Sequence, residues 1–450
     1  MTRLLYNDNN IIGRLFKYFS VYFENLYVST AETVFLLVLS MLAVESASSV
    51  RSLYNHFLVG IIAKSLNAFY YAFTYSKLDT RQFMNITGRM ALKLIPSDLR
   101  EQPVFICIDD TMVSKAGKTF DNVAVLFDHA SHNGSNYLNG HCFVSLMLCI
   151  PIWNGDKIKY LSILLGYRMW EKDKVTKIKL AASMVHQVMP EFSDLSQVII
   201  LCDSWYVNSI LASVVGEYAN LGLIGGAKSN AVMYELPSAP TGKRGRPKKY
   251  GERIYIGDIN LSDEKIGNYY IGYQKVLTNI FASTQVMAYV TSTDKSGNSR
   301  RLFFSTVMPY ELKMFCAYQE KAPLNQTGSS WMPYIPLFCY SFRWPIEVSY
   351  YEQKTFWSLC SYMVRSQKGI ETFVNLINIS YCAMKILPYS DDNFSDFRTK
   401  SVQEFRLALS EQIRQQVFFI NFAKTVENQI KSNIAKILMN KLIQQCGCNI

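Results

Sequence analysis

This sequence has few of the features that mark exported or zinc-binding proteins. Its ten cysteines include no CxxC pair, and several of them (Cys107, Cys142, Cys149 and Cys202) lie in apolar, strand-like runs where cysteine acts as a small hydrophobic residue. The first residues, MTRLLYNDNN, lack the basic, apolar and small-residue regions of a secretory signal. We therefore expect no export and a reducing, cytoplasmic location.

The apolar run over 34–44 is too short to span a membrane. A spanning helix needs about 20 residues, and Glu32 and Glu45 flank this run. We predict a buried helix here and no membrane partner. His129 and His132 have no cysteine or acid at zinc-site spacing and stay unassigned.

The composition indicates a folded, basic protein of several parts. The chain has 450 residues, 49% of them hydrophobic and 14% aromatic, which favours roughly two to four packed units. Its 46 Lys and Arg exceed its 35 Asp and Glu, for a net charge of +11. That charge suits a polyanion, and without a membrane signal the favoured partner is nucleic acid.

The N-terminal region reads as helical, with a break near 45–49 and a second helix over 50–58. Its polar side chains could form the face of a helix-turn-helix DNA reader: Ser48, Ser49, Arg51, Ser52 and Asn55. An ordinary helical hairpin explains the same pattern, and both interpretations stay open.

The central region alternates strands and helices in the order βββαβαβ, which predicts a mixed sheet with crossover helices. Asn154-Gly155-Asp156 marks a hairpin turn, and helices are expected over 174–189, 206–218, from about Phe342, and over 395–442. Between these lies a β-rich stretch with a basic loop containing Lys243, Arg244, Arg246, Lys248 and Lys249. That loop would bind phosphates or enter a minor groove, unless it is merely solvated.

Two acids end apolar strands: Asp109 in VFICID and Asp203 in VIILCD. Ligand sites collect beyond the carboxyl ends of strands in α/β sheets, although either acid alone could be a helix cap. A third acid, Glu347, follows Pro345, which a first helical turn tolerates. With a helix from about Phe342, Arg343, Glu347 and Lys354 would share one face.

These residues resemble a known family. Tyr340, Arg343, Glu347 and Lys354 match in spacing the Y-R-E-K signature of the insertion-sequence-four group of DDE transposases. Asp109-Asp110-Thr111 is similar to the group's D-x-T segment, and Asp203 to Tyr206 resembles its D-x-W-Y segment. Pro345 is unusual inside the signature. The doubled acid leaves the first ligand ambiguous, and we prefer Asp109 because Thr111 follows at the right spacing.

The resemblance implies an RNase H-like α/β core interrupted by a β-rich insertion, with helical N- and C-terminal regions. We divide the chain into a helical, DNA-binding region (1–97), the first part of the catalytic core (98–235), the insertion with its basic loop (236–305), the second part of the core (306–385) and a helical tail (386–450).

The resemblance also implies an activity: metal-dependent strand cleavage at transposon ends and strand transfer into target DNA. Asp109, Asp203 and Glu347 would hold Mg²⁺, with Mn²⁺ as a substitute. Tyr340, Arg343 and Lys354 would position the DNA backbone, and Trp331 is a candidate for holding a flipped base. The expected partners are terminal inverted repeats, target DNA and a second copy of the chain.

Two alternatives share this fold. One is a DNA-binding derivative without catalysis, and the other is a nuclease or Holliday-type resolvase that never joins strands. A membrane-surface protein would rest only on the positive charge and the 34–44 run.

Overall fold

The computed structural model describes residues 10–46, 49–128, 136–238, 248–282, 284–296, 299–312 and 332–445. The chain forms two compact units, each built from separate stretches of sequence. The first comprises Met1–Leu78, Phe356–Val364 and Asp396–Ile450, and the second comprises Asp79–Thr355 and Arg365–Ser395.

The first unit is helical. It contains α1 (Ile11–Ser20), α2 (Val28–Ala43), α3 (Val50–His56), α4 (Leu66–Thr74) and the long C-terminal α11 (Val402–Gln445). The buried helix predicted over 34–44 is confirmed, because every residue of α2 from Thr33 onward is buried. The predicted break at 45–49 separates α2 from α3, whose N-cap is Ser49. Ser48 lies outside the described residues.

Arg406 on α11 connects the C-terminal helix of this unit to its N-terminal helices by hydrogen bonds. Its side chain is 3% exposed, and its Nη2 donates to the carbonyls of Val44 (2.6 Å) and Glu45 (3.2 Å), just after α2. Nη1 donates to the carbonyl of Phe356. Burial lowers the pKa of Arg406 to about 10, yet it remains charged at neutral pH.

The second unit is built on a mixed sheet. Its strands are β1 (Val104–Ser114), β2 (Ala124–Phe127), β3 (Tyr137–Asn154), β4 (Lys157–Met169), β5 (Val198–Cys202), β6 (Leu221–Ala227), β7 (Met233–Tyr234), β8 (Arg253–Ile254), β9 (Tyr270–Thr278), β10 (Val286–Ser292) and β11 (Arg301–Ser305). Its helices are α5 (Arg81–Leu92), α6 (Lys177–Val188), α7 (Ser209–Glu217), α8 (Ile335–Tyr340), α9 (Pro345–Phe356) and α10 (Gln367–Ser390).

The core strands lie in the order β4-β3-β1-β5-β6. β3 runs antiparallel to β1 and β4, whereas β5 is parallel to β1 and to β6. The β3–β4 hairpin turns at Gly155, whose φ of 60° favours glycine. This is the RNase H-like mixed sheet that the sequence predicts, and helical segments occur toward both ends of the chain.

The β-rich stretch after β6 extends the same sheet. β11 pairs antiparallel with β6, β10 with β11, and β9 with β10, and β7 and β8 follow at the far edge. Four predicted helix starts are too early by three residues or more, and the helix predicted over 174–189 begins at Lys177 as α6. α7 begins at Ser209 because the Asn208 side chain accepts from the Ile210 amide. α9 begins at Pro345 rather than near Phe342, and α11 begins at Val402 after a 3₁₀ segment.

Helix α10 covers the outer edge of β4. Asn375 accepts from the Tyr167 amide (2.9 Å) and donates to the Tyr167 carbonyl (3.1 Å). Glu371 accepts from the Met169 amide, and Asn378 donates to the Leu164 carbonyl. Within the described residues, α10 is the one helix long and apolar enough to cross a membrane, but 89% of its apolar window is buried. These contacts identify it as a core helix.

Candidate active site

Strand register places Asp109 and Asp203 next to each other. β1 and β5 are parallel, and their last paired residues are Ile108 and Cys202, so both acids follow at the same sheet edge. The Asp203 carboxylate accepts from the backbone amides of Trp205 (3.0 Å) and Tyr206 (3.4 Å), which fixes the loop after β5.

Asp109 is a buried carboxylate, 8% exposed, and charged side chains lie close to it. Arg343 Nη1 donates to its Oδ2 at 2.6 Å. Burial raises the pKa of Asp109 to about 8, the negative charges of Glu347 and Asp203 add to the rise, and Arg343 opposes it. Three carboxylates therefore act on one another here, and the site favours an additional positive charge.

Asp110 has different partners. Its carboxylate accepts from Lys177 Nζ (2.6 Å), Cys142 Sγ (3.1 Å) and the Tyr206 hydroxyl (2.8 Å). Successive residues of a strand face opposite sides of the sheet, so Asp110 points away from Arg343. Sequence reasoning missed Lys177, because it reaches Asp110 across 67 residues and carries no local signal.

The four residues of the Y-R-E-K pattern lie on three consecutive segments. Tyr340 ends α8, Arg343 lies in the 3₁₀ turn Ser341–Arg343, and Glu347 and Lys354 occupy the first and last turns of α9. The predicted single helical face is therefore wrong for Arg343, because the proline at the first position of α9 starts a new helix. Arg343 reaches Asp109 from the turn instead.

Tyr340 and Arg343 are held close together. The arginine carbon Cζ lies 6.0 Å from the centroid of the Tyr340 ring, which packs edge-on against Phe303. Burial raises the pKa of Tyr340 to about 12, although Arg343 opposes the rise. The phenol therefore stays protonated and can donate a hydrogen bond at neutral pH. Glu347 is exposed and Lys354 is half-buried.

The donor chemistry at this edge suits a hard divalent cation, since carboxylate oxygens are its preferred ligands. The mutual repulsion felt by Asp109 would be relieved by such an ion. Nevertheless, among the described residues no three His, Cys, Asp or Glu side chains lie close enough together to form a metal-binding group. Arg343 occupies one oxygen of Asp109 in this arrangement.

The basic loop is described only in part. Lys248 and Lys249 are exposed ahead of β8, and Lys249 Nζ lies 5.3 Å from the centroid of the Tyr250 ring. The predictions for Lys243, Arg244 and Arg246 lie outside the described residues. Trp331, the candidate for holding a flipped base, and the unassigned His129 and His132 also lie outside the described residues.

Comparison with known families agrees with this geometry. No curated protein matches the chain. Residues 29–264 match the family described as DDE superfamily endonuclease, a stretch that includes Asp109 and Asp203 and ends before Glu347. Because the match covers more than half of the sequence, the chain belongs to the DDE superfamily of endonucleases, enzymes that act on DNA with divalent metal ions.

Proposed function

We propose that the protein is a DNA transposase of the insertion-sequence-four group, which cleaves strands at transposon ends and joins them to target DNA by cut and paste. The observation that carries the proposal is the pairing of Ile108 with Cys202, which sets Asp109 beside Asp203. The influence of Glu347 on the pKa of Asp109 supports the third member of the set.

Asp109, Asp203 and Glu347 would hold Mg²⁺, or Mn²⁺ in its place. When bound, the metal would activate the attacking oxygen and stabilise charge on the scissile phosphate. Arg343 uses one nitrogen for Asp109, and we propose that other N–H groups of its guanidinium contact phosphate oxygens. The protonated Tyr340 would donate to the DNA backbone, and Lys354 would add positive charge.

The remaining assignments concern the wider molecule. Residues 1–97 would bind terminal inverted repeats, 98–235 and 306–385 would form the catalytic core, and 236–305 would form an insertion whose basic loop holds the DNA backbone. The tail, 386–450, would join two copies into a homodimer acting in the cytoplasm. Support for the dimer comes from α11, which exposes apolar side chains three or four residues apart: Phe419, Phe422, Val426, Ile430, Ile434 and Ile437.

The test is cleavage of a supercoiled plasmid carrying the candidate ends, with Mg²⁺ and the purified protein. The wild type should cut at the ends, whereas Asp203→Ala and Glu347→Gln should bind the ends but not cut them. Asp263→Ala, which alters an exposed acid, is the matched control and should cut normally. Normal cleavage by Glu347→Gln would overturn the assignment of that residue.

One observation favours a second candidate, a DNA-binding derivative without catalysis. Arg343 binds Asp109 directly, and the described carboxylates form no ready group of three. Specific binding of the ends without cleavage in Mg²⁺ or Mn²⁺ would support that reading. Cleavage without joined products would instead indicate a nuclease or resolvase.

A further inference from the structure

Among the three proposed metal ligands, Glu347 is the one that a helix carries. Asp109 lies in β1 and Asp203 directly follows β5, so the sheet fixes their backbones. Glu347 lies in the first turn of α9, and its side chain is exposed. The distance of Glu347 from the other two acids therefore depends on where α9 packs against the sheet.

Two buried hydroxyl groups join α9 to strand β3. The hydroxyl oxygens of Tyr350 and Ser145 lie 2.5 Å apart, and the two residues are 3% and 0% exposed. Ser145 is the residue of β3 that pairs with Asp109 of β1. Residues directly opposite each other in an antiparallel pair share one face of the sheet, with their Cβ atoms about 4.5–5.5 Å apart. Ser145 is thus the closest neighbour of Asp109 on that face of β3.

The partner hydroxyl lies equally close to Glu347 along the chain. Tyr350 follows Glu347 by three residues, and side chains at this spacing are neighbours on a helix. The hydrogen bond between Tyr350 and Ser145 therefore connects the helix turn that carries the third acid with the strand residue beside the first acid.

Charge and packing agree with this placement. Burial raises the pKa of the Tyr350 phenol well above its ordinary range, and the negative charge of Asp109 adds to the rise. The phenol therefore keeps its proton at neutral pH. Beside it on α9, Ser349 Oγ lies 3.9 Å from Sδ of Met147, which is two residues along β3 and on the same face as Ser145. Helix α9 thus packs along the face of β3 that Asp109 shares.

Two other hydrogen bonds join α9 to α10 instead. The buried Tyr381 hydroxyl donates to Glu352 Oε2 at 2.5 Å, and Gln353 Nε2 donates to Asn378 Oδ1 at 3.1 Å. These bonds stabilise the same helix without connecting it to β3. They provide a comparison for the hydroxyl pair.

We propose that Ser145 and Tyr350 are positioning residues, whose hydroxyl pair holds α9 against β3 and thereby sets the separation between the carboxylates of Glu347 and Asp109. This inference rests on the proposed function, because it takes both acids as metal ligands. Neither hydroxyl needs to contact the metal or the DNA. Replacing residues that orient the ligands of a metal site typically lowers metal affinity by about 10- to 100-fold.

The first test measures binding of Mn²⁺ alone to the full chain, from the EPR signal of the free ion. Tyr350→Phe and Ser145→Ala should each weaken Mn²⁺ binding roughly tenfold. Each also leaves a buried hydroxyl without this partner and should lower the melting temperature. The double variant removes both hydroxyls and should recover most of the lost stability. Its Mn²⁺ binding should stay weak, whereas a purely structural role predicts that affinity recovers together with stability.

Tyr381→Phe is the matched control. Tyr381 is 0% exposed, and this change removes a buried tyrosine hydroxyl that also bonds to α9. It should lower the melting temperature as Tyr350→Phe does but leave Mn²⁺ affinity close to that of the wild type. Equal weakening by Tyr381→Phe, or wild-type affinity in the double variant, would overturn the positioning role.

A second test needs no metal. Spin labels on a ketone-bearing amino acid introduced at Val125 of β2 and at Val348 of α9, both exposed, report the distance between sheet and helix and leave the native cysteines unmodified. Pulsed EPR should show a narrow distance distribution without further changes. Adding Ser145→Ala with Tyr350→Phe should broaden or shift it, whereas adding Tyr381→Phe should not. An unchanged distribution in the double variant would contradict the proposal.

The two proposals fail separately. If Asp203→Ala and Glu347→Gln leave Mn²⁺ binding and cleavage unchanged while the double variant alters the distance distribution, the metal assignment falls and the positioning of α9 stands. If Mn²⁺ binding depends on Asp203 and Glu347 while the double variant keeps both the affinity and the distance distribution, the positioning role falls and the metal site stands.

Discussion

Asp109 and Asp110 are adjacent in sequence, yet their side chains have different surroundings. Asp109 faces Arg343 and the negative charges of Glu347 and Asp203, whereas Asp110 accepts three hydrogen bonds on the other face of β1. The alternation of side chains along a strand is the cause. We therefore propose a catalytic role for Asp109 and a structural role for Asp110.

Asparagine substitutions should separate the two roles. Asp110→Asn leaves Lys177, only 15% exposed, without a counter-charge and should lower the free energy of unfolding by about 3 kcal/mol. Asp109→Asn should cost less, because it relieves repulsion with Asp203 and Glu347, which still balance Arg343. Urea unfolding measures both variants.

The cleavage assay completes this comparison. Below its unfolding temperature Asp110→Asn should still cut the plasmid, and Asp109→Asn should not. Loss of cleavage in Asp110→Asn with unchanged stability would reverse the assignment of the two acids.

The sequence pointed to the acids but not to their partners. Asp109 and Asp203 stand out because each interrupts an apolar run that is long enough for a buried strand. The contacts of Arg343 with Asp109 and of Lys177 with Asp110 join residues far apart in the chain, and only tertiary packing creates them. No local pattern could have predicted either pair.

Side chains of helix α10 hydrogen-bond to the backbone along the edge of β4, where a neighbouring strand would otherwise pair. Glu371, Asn375 and Asn378 share one helix face at spacings of four and three residues, and each binds a backbone group of β4. Without the helix those backbone groups would lose these hydrogen bonds, since among the described strands β4 pairs with β3 alone. The edge is thereby closed to further pairing.

Replacing Asn375 with leucine tests how much these hydrogen bonds contribute to the free energy of unfolding. Asn375→Leu keeps the branching and the number of side-chain heavy atoms but removes both hydrogen bonds to the Tyr167 backbone, at about 1–3 kcal/mol each. We expect the free energy of unfolding measured in urea to fall by about 2–6 kcal/mol. The exposed Lys368 of the same helix provides the control, and Lys368→Gln should change stability by less than about 0.5 kcal/mol. Equal effects of both variants would contradict the role of Asn375.

Glu371 should make stability depend on pH. Burial raises its pKa, although its hydrogen bond from the Met169 amide opposes the rise. Between the unfolded and the folded pKa the folded state binds more protons, so this contribution is complete at low pH and is lost as the pH rises through the folded pKa. Glu371→Gln keeps the acceptor oxygen and should make the fall in melting temperature from acidic to neutral pH shallower. An unchanged slope would show that Glu371 does not titrate as proposed.

Some elements could be predicted and others could not. The β3–β4 hairpin follows from Asn-Gly, and buried α2 follows from its continuous apolar run. The start of α9 was predicted too early, because the periodicity of side chains continues through the 3₁₀ turn before Pro345. The use of Asn375 and Asn378 as edge partners is invisible in sequence, since asparagine in an apolar helix has no fixed neighbour.

On the scale of the whole molecule, we propose α11 as the surface for self-association. Its first part packs through Phe405, Leu409 and Ile413, which are buried. At about 100° per residue, Ile430 and Ile434 lie roughly 20° from Phe405 around the helix axis, so the exposed apolar stripe continues close to the buried face and extends to one side of it. An apolar stripe of this kind is typical of helix pairing.

Charge in that stripe should separate two copies. Ile430→Glu combined with Ile434→Glu is expected to convert a dimer into a monomer in sedimentation, while the helix content measured by circular dichroism is kept because both side chains are exposed in a single copy. Asn428→Glu with Ser432→Glu adds the same charge on the opposite side and should leave the dimer intact. A monomeric wild type, or a dimer that survives the first pair of changes, would refute this interface.

The hydrogen bond from Arg406 to the Val44 carbonyl also constrains how the protein is made. The two residues are 362 positions apart, so at about 5–20 residues per second the ribosome needs roughly 20–70 s to supply the second after the first. During that time α2, apolar and destined for burial, has been synthesised without its C-terminal cover. The helical unit that contains the earliest residues is therefore the last to be completed. Chains cut short by a frameshift or a protease are expected to aggregate or be degraded before they can act as partial enzymes.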